Sequence, residues 1–493
     1  GGGGRDLYGA PGDWRFERSG MGIGMRQLYI NTIGCQMNVY DSDQIERALA
    51  PSGYTRTDRL EAADLVIVNT CAIRAKAEQK AFSFVGRLAQ LKRRKPGLLV
   101  GVGGCVAQQE GAKILARAPQ VDLVFGPKAI PRLGRLVERV RLQGLRVVDT
   151  EDADGIEELD LASGFRDDGQ VARFVTIMQG CDNFCTYCVV PYVRGRETSR
   201  HPDHILAEIR MLVASGVREV TLLGQNVNSY GVKEGLGSFA ELLGRVDRVD
   251  GLQRIRFTTS HPKDLSDDLI EAFARVSKLC PHIHLPVQSG SDRVLKRMNR
   301  KYTRAVYLER IGRLRQVRPD IAITSDFIVG FPGETDADFE RTLGLIEDVG
   351  FDGVFAFMYS DRSVAPAARF DSKIDEVLKK ERLQRLLRHQ EVFTLRSSKK
   401  LVGSVQEVLV EGFSARPGLA ENQAVRRQWS GRTPGNKIVN FDQDKDCAGS
   451  HAVRAGRLAG VRIEKAFSHS LWGRPVWIEK KPGGLKGDTC HAA

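Results

Sequence analysis

Short apolar runs and amphipathic stretches alternate along most of this chain, and the alternation changes character twice. From residue 27 to about 140 it reads strand, turn, helix: a strand over 28–32 and a helix from Asp41, a strand over 65–68 and a helix from about Ala75, a strand over 98–102 and a helix near Gln108, then a strand over 123–125. Continuous β-rich runs separated by helices predict a parallel sheet covered on both faces, a small doubly wound domain. A second series fills 171–370, with strands over 173–178, 219–223, 253–257, 282–285, 321–329 and 351–357 and helices over 203–215, 238–246, 265–276, 291–297, 303–317 and 335–348. Repeats of this kind over about 200 residues predict a partial (β/α) barrel with its reactive loops at the strand C-terminal ends.

After a basic helix over 373–397 the helical period is lost from Gly403, and strands near 405–411, 437–441 and 461–466 predict a small all-β barrel. The expected organisation is a disordered extension over 1–25, an N-terminal doubly wound domain over 26–148, and a polar, acidic linker over 149–168. The partial barrel follows over 169–400, the small all-β barrel over 401–480 and a tail over 481–493.

Length and composition agree with this division: 493 residues predict about three domains at roughly 150 residues each. No apolar run approaches the roughly 20 residues of a membrane span and no charged-then-apolar leader opens the sequence, so a cytoplasmic protein without a membrane partner is expected. Nine cysteines, an odd number, argue for reduced thiols rather than a disulfide framework. The formal charge of +13 favours a polyanionic partner through counterion release. Lys92 to Lys95, the helix with Lys379, Lys380, Arg382, Arg385 and Arg388, then Lys399, Lys400, Arg426 and Arg427 supply much of the excess. Each cluster alone reads as a solvated face; together they make nucleic acid the expected partner class.

The chemistry is concentrated in six cysteines. Cys181, Cys185 and Cys188 form a C-x3-C-x2-C triplet directly after the first strand of the barrel series, on its expected reactive rim. Soft thiolates favour an iron-sulfur cluster or zinc. A closed zinc site wants a fourth Cys or His nearby, and the nearest, His201 and His204, lie beyond the next loop. Three thiolates leave a four-iron cluster with one iron open to substrate; buried, unligated thiols are the plain alternative. Cys35, Cys71 and Cys105 each end one strand of the first domain, where neighbouring loops of a parallel sheet meet. One cysteine ending a strand is unremarkable; one on each of three repeats points to a second cluster, with Gly34, Gly103 and Gly104 allowing close backbone approach. Cys280, Cys447 and Cys490 are read as incidental, Cys280 as a core residue.

With these motifs the chain resembles the radical S-adenosylmethionine methylthiotransferases over about residues 27–480. The resemblance rests on GCQMN over 34–38, VNTC over 68–71, GGC over 103–105, the cysteine triplet, and WSGRTPGNK over 429–437, which is similar to a TRAM domain. QMN over 36–38, MQGC over 178–181 and VVPYVRG over 189–195 look like the branch acting on isopentenyladenosine in tRNA, rather than the threonylcarbamoyladenosine or ribosomal-protein branches. The resemblance implies two 4Fe-4S clusters. Cys181, Cys185 and Cys188 would hold the one that cleaves S-adenosyl-L-methionine to a 5'-deoxyadenosyl radical; Cys35, Cys71 and Cys105 would hold an auxiliary one carrying the sulfur to be methylated. It further implies methylthiolation at adenine C2 next to the anticodon, at position 37 of a tRNA bearing isopentenyladenosine, with an electron donor; separately, a monomer is expected. The C2–H bond is unactivated, so acid-base catalysis does not serve and a cofactor radical is needed. By the same resemblance Gly224, Gln225 and Asn226, then Gln288, Ser289 and Gly290, then Gly330 and Gly333 line the S-adenosylmethionine pocket. The run YSDRSVAP over 359–366 departs from the family's Pro-rich, Gly-containing pattern.

Overall fold

A computed structural model describes residues 25–72, 75–151, 155–156, 168–414, 418–419, 425–442 and 452–479. The expected disordered extension (all but Met25), most of the linker, the tail, Cys447 and Cys490 lie outside the described residues.

The first sheet runs β2-β1-β3-β4-β5-β6, all parallel: β1 (Arg26–Ile33), β2 (Tyr54–Arg56), β3 (Leu65–Thr70), β4 (Leu99–Gly104), β5 (Leu123–Phe125) and β6 (Val147–Asp149). Central strand β3 is buried along its length. Leu65 and Ile67 pack with Leu28, Ile45, Phe125 and Leu133 on one face, while Val66 and Val68 pack with Val85, Leu88, Val100 and Val102 on the other. Two apolar faces explain the unbroken apolar run in the sequence. The strand order reverses between β1 and β3, and ligands of such sheets bind at that crevice, outside the strand carboxyl ends. The first helix covers Gln36–Leu49 rather than starting at Asp41, because Cys35 is already extended and its N–H donates to Asn38 Oδ1 at 3.2 Å, which opens the helix there.

The second unit contains β7 (Ala172–Thr176), β8 (Met178–Gln179), β9 (Thr198–Ser199), β10 (Glu219–Leu223), β11 (Arg254–Thr258), β12 (His282–His284), β13 (Ala322–Val329) and β14 (Gly353–Met358). Parallel sheets β11-β10-β7 and β12-β13-β14 are joined where Ile255 pairs with Leu279 and Cys280 N–H donates to Ile255 O at 2.9 Å. The result is a curved six-stranded sheet ending in β7 and β14, with helices packed on its outer face around Val220, Leu222, Phe257, Ile283, Ile323 and Phe327. Cys280 is a core residue, as its sequence context suggested.

The helix Glu376–Lys399 braces the entry to β14 through Gln390, which donates to Phe351 O, two residues before the strand, at 2.8 Å. Two of its cations are not nucleic-acid contacts: Lys379 and Arg382 are buried, and Arg382 bonds Glu334 at 2.8 Å and Asp336 at 2.6 Å. The last unit is a closed barrel in the order Val405–Phe413, Trp429–Arg432, Ile438–Phe441, Leu471–Ile478, Leu458–Ala466. It docks through the turn after Arg432. Arg254 donates to Arg432 O at 2.7 Å, and Arg256 donates to Thr433 O and Pro434 O, each at 2.8 Å, and to the Glu219 carboxylate at 2.8 Å.

Arg256 and Glu219 are both buried, so removing the cation strands a carboxylate and two carbonyls. Arg256→Ala is expected to cost about 3–5 kcal/mol in denaturant unfolding and to make the terminal barrel separable by limited proteolysis; unchanged stability and cleavage would contradict this docking.

Candidate functional site at the seam of sheet and barrel

Cys35, Cys71 and Cys105 converge because their loops are stitched together by buried amides. Asn38 Nδ2 donates to Asn69 Oδ1 and to Thr70 O, each at 3.0 Å; Asn69 Nδ2 returns a bond to Asn38 O at 2.9 Å; Thr70 Oγ1 reaches Gly103 O at 2.6 Å. The loops after β1, β3 and β4 are thus one hydrogen-bonded unit. The neighbouring glycines serve this closure: a Cβ on Gly34 would stand 2.0 Å from Asn38 Oδ1 and 2.9 Å from Cys71 Cβ, and one on Gly104 would stand 2.4 Å from Thr70 O. Their missing side chains admit protein, not the cofactor expected from the sequence.

This unit sits on the C-terminal rim of the barrel. Cys105, Ala72 and Val106 pack against Val189 and Val193, shortly past Cys188, while Cys35, Met37 and Tyr40 pack against Leu223 at the end of β10 and Phe174 in the middle of β7. Arg194 crosses the seam: Nε donates to Cys105 Sγ at 3.4 Å and the Nη atoms to Asp41, with both side chains buried. The YSDRSVAP segment also reaches across, with Arg362 3.7 Å from Glu78 and Val364 against the Cys105 cluster.

The C-x3-C-x2-C loop is pinched at its base by β8 and β9, where Met178 pairs with Ser199 and Cys181 N–H donates to Gly195 O at 3.3 Å. A buried cation again attends one sulfur: Arg300 Nη1 lies 3.5 Å from Cys185 Sγ, and its other donors engage Tyr302 Oη at 2.9 Å and Pro286 O. His261 Nε2 is 3.9 Å from the same sulfur. Burial first, and then the Arg300 charge, hold this imidazole far below its usual range, so it is neutral. Its Nδ1 accepts from Lys263 N–H at 3.2 Å, which puts the ring proton on Nε2, facing Cys185.

Of the residues expected around S-adenosylmethionine, the first group lies beside the cysteines. Gln225 Oε1 accepts from the N–H of Gly180, immediately before Cys181. Asn226 Oδ1 accepts from His261 N–H at 3.1 Å, and its Nδ2 donates to Asp264 at 2.8 Å, so Asn226 positions His261. The later residues make bonds inside the fold. Gln288 pairs with β13; Ser289 Oγ lies 3.4 Å from Thr342 Oγ1, to which Gly290 N–H donates at 3.0 Å. The space beside Gly330 is taken by Lys379, and Gly333 N–H donates to Ser372 O at 2.8 Å. Arg194, Asp41, Arg300 and His261 were not singled out from sequence; Arg194 stood in the VVPYVRG motif, which was its only signal.

The donor chemistry fits clusters. Among the described residues no three Cys, His, Asp or Glu side chains close around a single ion, whereas a four-iron cluster places each thiolate on its own iron and asks for no such closure. His201 does not complete a zinc site, since its Nδ1 accepts from Asp203 N–H at 3.3 Å as a helix cap. The rim also fits a polar ligand: Thr176 Oγ1, Gln225 Nε2, Asn228 Oδ1 and Ser260 Oγ are buried without hydrogen-bond partners, each at or just beyond the end of β7, β10 or β11. Leaving such atoms unpaired costs about 1–3 kcal/mol each, which a ligand's amino and carboxylate groups can recover.

Family profiles match in the same order as the units: Uncharacterized protein family UPF0004 over 27–126, Radical SAM superfamily over 175–346 and TRAM domain over 399–476. Among solved structures, the radical S-adenosylmethionine methyltransferase TsrM from Kitasatospora setae shares the fold, with a TM-score of 0.52 at 14% identity over 70% of this chain and 74% of that one. Fold, cysteine triplet and profile define a radical S-adenosylmethionine enzyme. The tRNA-2-methylthio-N(6)-dimethylallyladenosine synthase of Desulfosudis oleivorans is 56% identical over 95% of this chain and its own full length; that of Syntrophus aciditrophicus is 50% identical over 92% of this chain and 95% of its own. The chain belongs to the tRNA-2-methylthio-N(6)-dimethylallyladenosine synthase family.

Before iron is bound the thiols differ. A hydrogen bond from Cys71, with the Arg194 charge behind it, draws Cys35 down to about 6 against its burial, whereas burial pushes Cys181 up to about 11 and Cys188 up to about 12. At pH 7 the first is a thiolate and the other two are thiols, and the thiolate is the nucleophile. Iodoacetamide is therefore expected to label Cys35 in the metal-free chain ahead of Cys181 and Cys188, read by peptide mass mapping at several times; labelling of all three at one rate would contradict these environments.

Proposed function

We propose that this chain inserts a methylthio group at C2 of N6-isopentenyladenosine at position 37 of tRNA, next to the anticodon. The observation that carries the reading is the packing of Cys105 against Val189, Val193 and Arg194, in the segment that follows the second cysteine trio, in a chain this similar to proteins bearing that name. Cys181, Cys185 and Cys188 hold one 4Fe-4S cluster and Cys35, Cys71 and Cys105 the other, in this reading. Bound clusters and S-adenosylmethionine supply the one-electron chemistry that an unactivated C–H bond demands.

The chain's own residues do the rest. Arg194 and Arg300 set a positive charge beside Cys105 and Cys185, the counter-charge that an iron-bound thiolate would meet there. His261 offers a neutral N–H to Cys185, and Asn226 fixes that offer in place. Gln225, Thr176, Asn228 and Ser260 present unpaired polar atoms toward the rim for S-adenosylmethionine. Apolar packing of Val189 and Val193 on Cys105 keeps water out of the seam. Two oxidation-sensitive clusters need a reducing compartment, and we place the enzyme in the cytoplasm, working as a monomer with an external electron donor. Among the described residues no helix is long and apolar enough to cross a membrane.

Anaerobically reconstituted protein is expected to carry about eight irons, falling to about four when Cys35, Cys71 and Cys105 are changed together to Ala. Mass spectrometry of nucleosides from cells lacking the gene should show tRNA without the methylthio group, regained on complementation. Unchanged tRNA would overturn the reading.

A further inference from the structure

A stack of side chains at the surface of the terminal barrel, two exposed and one leaning on the core, has no part in docking or in the thiol seam. The strand Val405–Phe413 shifts register against Trp429–Arg432 between Val410 and Gly412, and Gly412 has φ +150°. This bulge twists the strand end and presents Phe413 beside Trp429. The two rings lie 4.2 Å apart at 27°, stacked face to face. Trp429 leans on the barrel core, whereas Phe413 is 52% exposed, and the exposed Arg427 holds its guanidinium 5.2 Å from the Phe413 ring.

We propose that Arg427, Phe413 and Trp429 form a stacking site for one unpaired nucleobase of the tRNA, with Arg427 closing over the base and its phosphate. This rests on the functional reading above and extends it to a named contact. Cross-strand aromatic pairs stabilise sheets whether or not they bind anything. That accounts for Trp429, which is anchored in the core, but a half-exposed Phe413 covered on its outer side only by the exposed Arg427 guanidinium, which a base can displace, adds nothing to the core. Aromatic rings with an adjacent Arg are what single-stranded nucleic acid stacks on, because every base has a π-face and every linkage a negative charge. The net charge of +13 selects the same polyanion.

Position supports the assignment. Trp429 and Arg432 are the two ends of one four-residue strand, and Arg432 is the end pinned to the barrel by Arg254. The stack therefore stands about 10 Å from a fixed anchor, at the strand rise per residue. A base seated there is held at a fixed place relative to the barrel.

The test uses the reconstituted holoenzyme and tRNA bearing isopentenyladenosine but no methylthio group. Phe413→Ala is expected to weaken tRNA binding about tenfold, Phe413→Trp to restore it, and Lys465→Ala, a control cation over Trp472 elsewhere on the same barrel, to leave it within about twofold. Cleavage of S-adenosylmethionine without tRNA should be the same in every variant, which reports an intact fold and clusters. Competition by single-stranded oligoribonucleotide, but not by duplex RNA, is expected for wild type and lost in Phe413→Ala. If wild type modifies tRNA while Phe413→Ala binds it within twofold of wild type, the stacking site is wrong and the functional reading stands. Should wild type neither bind nor modify tRNA, the functional reading fails and this site fails with it.

Discussion

Buried sulfur needs a counter-charge, and at the seam of this protein that charge comes from the opposite unit. Arg194 belongs to the barrel, Cys105 and Asp41 to the first sheet, and the three are removed from water together. An unpaired buried ion costs several kcal/mol, so the two units are favoured in the one orientation that keeps Arg194 beside both partners. The same contact fixes where the sheet's three thiols stand relative to the C-x3-C-x2-C loop, because Val189, the residue after Cys188, and Val193, one helical turn further, pack on Cys105. Orientation of domains and geometry of the site are a single constraint.

The far end of the barrel follows a similar rule with different chemistry. Arg254 and Arg256 rise from β11 and are satisfied by the carbonyls of the turn after Arg432, so the terminal module is locked rather than tethered. Part of the sequence's basic character is consumed in this way, and part in Arg382 and Lys379 under the barrel's flank. What is left for a polyanion is the exposed remainder, including Arg427. A charge total says that a partner is anionic; only burial separates the cations that meet it from those that hold the fold.

Much of the fold was legible because its sheets are parallel and buried on both faces, which writes each strand as a continuous apolar run. The strand at 219–223 and the helices around it could be read nearly residue by residue. Three-residue edge strands such as Tyr54–Arg56 and Val147–Asp149 were not, since they carry too few side chains to make a pattern. The six cysteines were legible because each ends a strand or shares a loop. The contacts by which Asn38, Asn69, Arg194 and Arg300 position them were not, although the first three stand in the family motifs: their partners lie 31, 153 and 115 residues away and no local spacing records such contacts. The glycines beside the cysteines were legible as close approaches but misread as to what approaches, since backbone freedom alone does not say whether a cofactor or another loop fills the room.

The claim beneath all of this is that two four-iron clusters stand close together at one seam, and their magnetism reports it directly. In the reduced holoprotein, electron paramagnetic resonance should show a spectrum broadened by spin coupling between the clusters, unlike the sum of spectra from two variants that each lack one cysteine trio. A holoprotein spectrum equal to that sum would mean that the clusters do not share a site, and the account would be wrong.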